Sequence, residues 1–400
     1  MESVAVKNEK GSTTYIPDDI AFSILSKLPL KSFKRFECFC KPWSLLSENR
    51  SFMNTFCNNL LFNSHRCPYY DGTSLLLRDF KLGQDVFYSI SGERFENKVK
   101  IDFPNSYDAN RFKFRIFGFG SINGTFCLYQ AYYYCNTVLW NPSTQEIKLV
   151  PTTDKLVESS VEDVKDFVSI IHTSYLHGFG YDDLRNDYNV ICYITITGQH
   201  ASYGHMSLDP IWVKYSLRTN SWKRILIFDM PYSLALIDGS QVYMDGVCHW
   251  LWEEDEDSQD GRWLVSFYLS NEVFFITPIP SYLDDCFKAL WINLVVLNGS
   301  VSLISYHKET NNFQISILGE YGIKESWTKL FNVGSLSCIE RPIGVGMKGE
   351  IFVIREDKEV VCLDLSTQSV VELSYKEVNS IDRRSNTNIQ GKHSSNRRNK

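Results

Sequence analysis

Three glycines near the C-terminal end of the chain have the spacing of a nucleotide-binding loop. Gly344-x-Gly346-x-x-Gly349 matches the dinucleotide fingerprint, in which the last glycine opens a helix whose N-terminus holds the pyrophosphate. The residues that follow, 350–354, are mostly β-branched or aromatic, which favours a strand over a helix. We therefore interpret these glycines as hairpin residues and not as a phosphate cradle.

Acidic and histidine clusters could hold a metal ion. Asp255, Asp257 and Gln259 lie in the acidic run 253–260 before Gly261, but the glycine is one position late for a calcium loop and no glutamate closes it. We interpret this run as a solvated loop. The histidine pairs are His172 with His177 and His200 with His205. They lack partners at zinc-site intervals, and odd spacing on a strand would put each pair on opposite faces.

Nucleophile motifs are missing from the sequence. The eleven cysteines include no C-x-x-C pair, and scattered thiols of this kind are typical of a reducing compartment. No nearby motif marks Cys38, Cys40 or Cys67 as a nucleophile, and there is no G-x-S-x-G, P-loop or kinase signature. The sequence predicts a chain that is not an enzyme and has no metal or cofactor.

The N-terminal region is predicted to be helical. Pro17 suits the first turn of a helix, and Asp18 and Asp19 place negative charge at the positive end of its dipole. Apolar residues at helical spacing are expected on one face of each of two helices. They are Ile20, Ile24, Leu25 and Leu28 in the first helix, and Phe33, Phe36 and Cys40 in the second. Pro29 and Pro42 end these helices.

The block at about residues 15–60 resembles the F-box, the short helical module that binds the Skp adaptor of a ubiquitin ligase. The resemblance implies a set of adaptor-binding residues, which are Ile16, Pro17, Ile20, Ile24, Leu25, Leu28, Pro29, Leu30, Phe33, Phe36, Cys40 and Trp43. Ile16 replaces the leucine that is usual in the family, and Pro42 replaces a small polar residue. The alternative is a helical hairpin that packs only on its own domain.

Beyond residue 70 the pattern changes to short strands and turns. Asn123-Gly124, Asp245-Gly246, Asn298-Gly299 and Lys348-Gly349 each precede a strand-like run. Polar turns alternate with them and lead to strands that begin near an aromatic or aliphatic residue. Pairing the two kinds of turn gives five clear units of roughly 45–75 residues each and a degenerate sixth at 74–103. Repetition at this period predicts a mostly β fold, a kelch-like β-propeller of about six blades at about 70–376. A pair of β-sandwiches or an open solenoid is the alternative.

Four of these blocks resemble the F-box-associated domain of plant F-box proteins, including the S-locus F-box-like and F-box/kelch-repeat groups. The blocks are Leu139–Thr144, His177–Asp182, Tyr215–Trp222 and Tyr321–Trp327. With the F-box, the resemblance covers about residues 15–375. It implies a substrate-recognition subunit of a Skp–cullin–F-box ubiquitin ligase, which binds a Skp adaptor, through it a cullin, and an unknown target protein.

Two other classes of function remain open from the sequence. One is a Skp-binding interaction protein that acts outside a cullin ligase. The other is a propeller lectin or enzyme that carries an F-box. Candidate target-binding loops are Thr152–Asp166, Gly198–Pro210, Glu253–Asp260 and Pro280–Phe287, because recognition residues concentrate on loops. The alternative for each loop is a linker without a binding role. Trp222 and Trp327 occupy the same place in their units, which favours a role in the core over a role in target binding.

Composition and charge limit the partners. The chain has 400 residues and a net charge of −6, which argues against nucleic acid or an anionic membrane. The start has no apolar stretch typical of a signal peptide, so we expect the cytoplasm, the nucleus or both. Residues 377–400 carry many basic side chains and are expected to be a disordered tail, the alternative being a nuclear-import patch.

Overall fold

The computed structural model describes most of the chain. The described residues are 5–7, 13–15, 17–28, 30–37, 41–46, 49, 52, 55–56, 59, 74–81, 84–91, 97–102, 114–118, 121–130, 136–161, 164–226, 241–253, 262–283, 286, 291–297, 299–307, 309–333, 339–345, 350–364, 369–376 and 389–392. No described helix is long and apolar enough to cross a membrane.

Three short helices follow a small N-terminal hairpin. The hairpin pairs β1 (Ala5–Lys7) with β2 (Thr13–Tyr15). The helices are α1 (Asp18–Leu25), α2 (Leu30–Glu37) and α3 (Lys41–Ser44). Pro17 is the N-cap of α1 and lies just before the first turn that the sequence predicts for it. A fourth helix, α4 (Asp154–Ser160), lies within the propeller.

The rest of the described chain is almost entirely β. Its strands are β3 (Ser74–Lys81), β4 (Gln84–Ser91), β5 (Asn97–Ile101), β6 (Phe114–Ile116), β7 (Phe126–Gln130), β8 (Thr137–Asn141), β9 (Glu146–Leu149), β10 (Phe167–Asp182), β11 (Asp187–His200), β12 (Gly204–Ser216), β13 (Ser221–Ile225), β14 (Gln241–Met244), β15 (Val247–Glu253), β16 (Arg262–Tyr268), β17 (Val273–Pro278), β18 (Trp291–Leu297), β19 (Ser300–His307), β20 (Asn312–Leu318), β21 (Trp327–Val333), β22 (Ile339–Val345), β23 (Ile351–Arg355), β24 (Glu359–Asp364), β25 (Ser369–Lys376) and β26 (Ile389–Lys392). Apart from the β1–β2 hairpin they form five sheets, four of them four-stranded antiparallel meanders.

The fifth sheet changes the blade count. It has eight strands in the order β25-β24-β23-β22-β26-β3-β4-β5. The parallel pair Gly344–Ile389 joins β22 to β26, which in turn pairs with β3. The expected count of about six blades is therefore corrected to five, because this pairing merges two groups of strands into one sheet. Ile389–Lys392, which the sequence analysis assigns to the tail, is the strand that joins the two ends of the propeller.

Neighbouring sheets pack face to face around the ring. The aromatic ring of Phe87 on β4 meets Trp140 on β8 at 5.1 Å between centroids, which joins the eight-stranded sheet to the β6–β9 sheet. Each further pair of sheets shares a core of buried aliphatic and aromatic side chains. This radial burial of apolar surface is the main stabilising contribution that the arrangement offers.

The two repeated tryptophans differ in burial. Trp327 is 2% exposed and packs with Leu251 and Leu264 of the neighbouring sheet. Trp222 is half-buried against the core between the β6–β9 and β10–β13 sheets, and its indole N–H donates to the Pro151 carbonyl at 2.7 Å. The predicted core role is thus confirmed for Trp327, whereas Trp222 is only partly enclosed.

Hairpin turns use residues with positive φ. Asn123 and Gly124 have φ of 48° and 80°, and Asp245 and Gly246 have 47° and 80°, as the Asn-Gly and Asp-Gly pairs predict. A second device is a tyrosine that bonds to an asparagine five residues later. Tyr215 donates to Asn220 at 2.8 Å and Tyr306 donates to Asn311 at 3.0 Å; Tyr181 and Asn186 form the same pair.

The block His177–Asp182 is structural. A Cβ at Gly180 would lie 2.6 Å from Leu269 and 2.7 Å from Tyr243, so glycine is needed where β10 approaches the next sheet. The Asp182 carboxylate accepts hydrogen bonds from the backbone N–H groups of Leu184 and Arg185 in the turn that follows. The Tyr243 hydroxyl donates to the Tyr181 carbonyl at 2.7 Å and links the same two sheets.

Lys214 provides a further link between these sheets. Its ammonium lies 2.5 Å from a carboxylate oxygen of Glu272, and Lys223 contacts the other oxygen at 3.0 Å. Lys214 and Lys223 belong to β12 and β13, whereas Glu272 lies in the turn between β16 and β17. These ion pairs hold one end of the β10–β13 sheet against its neighbour.

Within the described residues, the fold shows where the other candidate nucleotide-binding and metal-binding motifs lie. Gly344 lies in β22, and the residues after Gly349 form strand β23, so the prediction of a strand there is confirmed. His172 and His177 face opposite sides of β10: His172 contacts Thr153 before α4, whereas His177 packs on Trp212 and Trp250. Gly346, Gly349 and the run 254–260 lie outside the described residues. No cluster of three or more possible metal ligands occurs among those described.

Two buried histidines predict a pH-dependent stability. Burial lowers the pKa of His177 to about 4, although its hydrogen bond to the Tyr175 carbonyl opposes the shift. Burial also lowers the pKa of His249 to about 3; its Nδ1 contacts the Ser266 hydroxyl at 2.8 Å. The unfolded chain binds these protons near pH 6.5, so stability is complete above that pH and is lost as the pH falls toward the folded values.

We expect the free energy of unfolding to fall by about 2 kcal/mol for each of these two histidines when the pH is lowered from 7 to 5. The measurement is urea unfolding at both pH values for the native chain and for His249→Gln, which has no titrating ring. The variant should show a pH effect smaller by about that amount. An equal pH effect in both proteins would contradict a neutral buried His249.

Candidate functional site

The helical region exposes an apolar surface. Ile20 and Ile24 lie one turn apart on α1 and are 47% and 53% exposed. Phe36 on α2 is 37% exposed and Leu45, just after α3, is 57% exposed. Phe36 also contacts Trp43, with 5.7 Å between ring centroids. These four exposed residues, Ile20, Ile24, Phe36 and Leu45, are called the helical apolar surface below.

The opposite side of these helices forms a small aromatic core. Phe33 is 1% exposed and its ring lies 5.1 Å from Phe52 and 4.8 Å from Phe56. Phe22 meets Phe52 edge to face at 5.0 Å, and Leu25 is buried with them. Ring contacts of this kind add stabilisation to the burial itself. The core therefore fixes which side of α1 remains exposed.

This aromatic core is continuous with the propeller. Leu25, Phe33, Phe52 and Phe56 belong to the same apolar cluster as side chains of the β18–β21 sheet and of β22–β24. Trp291, at the start of β18, packs against that cluster. The Asn59 side chain donates to the carbonyl and hydroxyl of buried Ser26, both at 3.1 Å, which joins the end of α1 to the last described helical residues.

The structure divides the residues that the sequence groups on one face. Ile20, Ile24 and Phe36 are exposed, Pro17, Leu28 and Trp43 are half-buried, and Leu25 and Phe33 are buried. The expectation of one apolar face per helix is corrected, because a helix packed on an aromatic core turns Leu25 inward and Ile24 outward. Ile16, Pro29 and Cys40 lie outside the described residues, as does the side chain of Leu30.

A second surface is a three-stranded extension of one sheet. β10, β11 and β12 have 16, 14 and 13 residues, whereas β13 has only 5 and pairs with β12 from Trp212 onward. The part of β10–β12 beyond β13 spans residues 167–174, 195–200 and 204–211, and is called the extension below. Helix α4 packs on one face of it through Leu156 and Val157.

The extension brings two of the four candidate loops together. Thr152–Asp166 contains α4 and leads into β10, and Gly198–Pro210 forms the β11–β12 hairpin. The backbone N–H of Ala201 in the second donates to the Asp166 carbonyl of the first at 3.1 Å. Of Glu253–Asp260 only Glu253 is described, and Pro280–Phe287 is described as far as Leu283 and at Cys286.

Comparison with known families explains this architecture. The family described as the F-box associated beta propeller domain matches residues 77–393. The chain belongs to this F-box-associated propeller family. The match includes β26, in agreement with its place beside β3 in the propeller.

The relatives of this F-box-associated propeller protein are F-box proteins of Arabidopsis thaliana. F-box protein CPR1 is 25% identical over 371 residues, covering 89% of this chain and 81% of the relative. F-box/kelch-repeat protein At3g23880 is 25% identical over 336 residues, covering 82% of each. Among solved structures, an apo form of the AtxE2 isopeptidase aligns at 8% identity and a TM-score of 0.29, covering 78% of this chain and 50% of that one. This score supports no inference.

Sequence reasoning missed two parts of these surfaces in this F-box-associated propeller protein. Leu45 is absent from the predicted adaptor-binding residues, because α3 is a single turn too short to show periodicity. Ile171 and Val168 of the extension, 61% and 70% exposed, were also missed. Their signal was the unbroken run 167–176, which is longer than one blade needs and contains no lysine, arginine or proline.

Proposed function

We propose that this chain is the substrate-recognition subunit of a Skp–cullin–F-box ubiquitin ligase, in the cytoplasm or nucleus. Residues 15–60 act as the F-box and bind the Skp adaptor, and through it a cullin. The propeller, about residues 70–376 with β26, binds a target protein, and the remainder of 377–400 is a basic tail. Family membership and F-box-named relatives support this assignment.

The observation that carries the proposal is the helical apolar surface. Large apolar residues left exposed on a small helical region mark a candidate protein interface. Their other side is already occupied by the aromatic core and the propeller, so the exposed side is the one available to a partner. Helical side chains one turn apart, such as Ile20 and Ile24, are the anchors that helix-mediated binding uses.

The propeller contributes position and not chemistry in this proposal. Its sheets are joined by buried cores and by ion pairs such as Lys214 with Glu272. A rigid scaffold of this kind can hold a bound target at a fixed distance from the adaptor site. Because proximity alone can supply much of a rate enhancement, the chain needs no catalytic residue of its own.

The test is purification of the tagged full chain from cells, followed by detection of a Skp adaptor and a cullin. We expect both to co-purify in stoichiometric amounts. Recovery of the adaptor without a cullin would instead indicate an interaction protein outside a ligase. Recovery of neither would overturn the proposed function. A proteasome inhibitor should increase the amount of target that co-purifies.

A further inference from the structure

The β10 edge of the extension has no strand partner among the described residues. β10 pairs with β11 on one side, and no described strand pairs with its other side along 169–174. The register is regular from Ser169 to Leu176, with a bulge before Ser169 and another after Leu176. An edge strand presents a row of N–H and C=O groups that can pair with another chain. Residues Ser169–Ser174 are called the open edge below.

Proteins usually shield such edges with charges, prolines or bulges. The open edge has none of these within it: its sequence is Ser-Ile-Ile-His-Thr-Ser. The opposite edge of the same extension, on β12, contains Asp209 and Pro210, and Pro210 cannot donate a hydrogen bond. The contrast between two edges of one three-stranded unit indicates that the β10 edge is kept available for pairing.

The side chains along the open edge favour an extended peptide. Ile171 is 61% exposed and Val168, in the bulge just before, is 70% exposed, whereas Ile170 and His172 point toward α4 and are more enclosed. A strand that pairs here would place every second side chain on the same face of the sheet as Ile171. Six residues of strand span about 20 Å, so the occupant is a segment of about six residues.

Charge at the two ends of the open edge selects the occupant. Asp166 is exposed just before the bulge, and Asp154, 49% exposed, lies 3.5 Å from His172 near the other end. The segment 152–166 carries five carboxylates and two lysines. A second copy paired antiparallel would bring Asp166 of one copy toward Asp154 of the other, which is repulsive. A target segment with Lys or Arg at its ends would be attracted at both.

We propose that the open edge of β10 binds an extended, basic-ended segment of the target protein by adding it as a strand to the β10–β12 sheet. The proposal rests on the proposed function, since it names the class of target segment that the propeller recognises. Backbone pairing supplies the affinity, and Ile171 with the flanking carboxylates supplies the preference for sequence.

The test uses a displayed library of random nine-residue peptides and the purified full chain. We expect the selected peptides to alternate apolar and polar residues and to carry Lys or Arg near both ends. N-methylation of single backbone amides in a synthesised peptide should weaken binding at every second position only, because alternate N–H groups of a strand face its partner.

Variants of the chain locate the site. Ile171→Lys should weaken peptide binding by about tenfold or more, because it places a positive charge on the edge that a basic-ended peptide would occupy. Met206→Lys is the matched control: it adds the same charge to the 38% exposed Met206 on the opposite edge strand, and should leave binding within about twofold. Asp154→Asn with Asp166→Asn should weaken a Lys-ended peptide but not its neutral-ended analogue.

Several results would overturn the proposal. They are the absence of any selected peptide, N-methyl effects without a two-residue period, and equal losses in Ile171→Lys and Met206→Lys. A full chain that sediments as a dimer, and becomes monomeric in Ile171→Lys, would assign the edge to a second copy. Adaptor binding is measured in every variant and should not change, so failure of the edge is distinguishable from failure of the proposed function.

Discussion

Replacing Ile20 and Ile24 together with Asp is expected to lower the affinity of the full chain for a Skp adaptor by about a hundredfold or more. Both side chains are about half exposed on α1, so their replacement leaves the aromatic core of Phe33, Phe52 and Phe56 intact. Each anchor of a protein interface is worth about 2 kcal/mol, and a buried carboxylate adds a desolvation penalty. The measurement is titration calorimetry with the purified adaptor.

The control for this prediction is a pair of equally exposed apolar residues elsewhere. Val370 on β25 and Val273 on β17 are 49% and 41% exposed. Val370→Asp with Val273→Asp should leave adaptor affinity unchanged, and both double variants should melt close to the native temperature. If the Ile20/Ile24 variant binds the adaptor as tightly as the control does, the helical apolar surface is not the docking site.

A comparison with Leu25→Ala separates docking from folding. Leu25 is 4% exposed and packs with the aromatic core, so its truncation is expected to cost about 2–5 kcal/mol of stability. Any loss of adaptor binding in Leu25→Ala should therefore accompany unfolding of the helical region. The loss in the Ile20/Ile24 variant should not.

The sequence predicted α1 and α2 but not which sides they expose, and Pro42, expected to end the second helix, instead lies inside α3. Helical spacing groups Ile20 and Ile24 with Leu25 and Leu28, because all four are apolar and fall within a broad stripe. The choice between them depends on where Phe33 and the β18–β21 sheet pack, which is a contact between residues far apart in the chain. Local pattern contains no information on such contacts.

The propeller class was predictable because its turns are local. The positive φ at Asn123 and Asp245 follows from residue type alone. The blade count was not predictable, because β26 lies in a segment whose polar and basic composition indicates a tail. Its strand exists through pairing with β3, more than three hundred residues earlier in the chain. The hydrogen bond between Tyr215 and Asn220 was likewise not predictable from the sequence, because only the geometry of the turn brings the two side chains together.

Trp327→Ala is expected to cost about 3–5 kcal/mol of unfolding free energy, and Trp222→Ala clearly less. Trp327 is 2% exposed between two sheets, so its removal leaves a cavity that rigid neighbours cannot fill. Trp222 is half-buried at the rim of its core, where water can replace part of the lost side chain. Urea unfolding of both variants measures the difference.

Substitution by phenylalanine distinguishes packing from hydrogen bonding at these two positions. The Trp327 indole N–H has no acceptor among the described residues, so Trp327→Phe loses packing volume but no hydrogen bond. The Trp222 N–H donates to the Pro151 carbonyl at 2.7 Å, and Trp222→Phe should lose about 1 kcal/mol from that bond. Each alanine variant should cost more than its phenylalanine counterpart, with the wider gap at Trp327. If Trp327→Ala leaves stability nearly unchanged, the core assignment of this tryptophan is wrong, because a fully enclosed indole cannot be removed without that penalty.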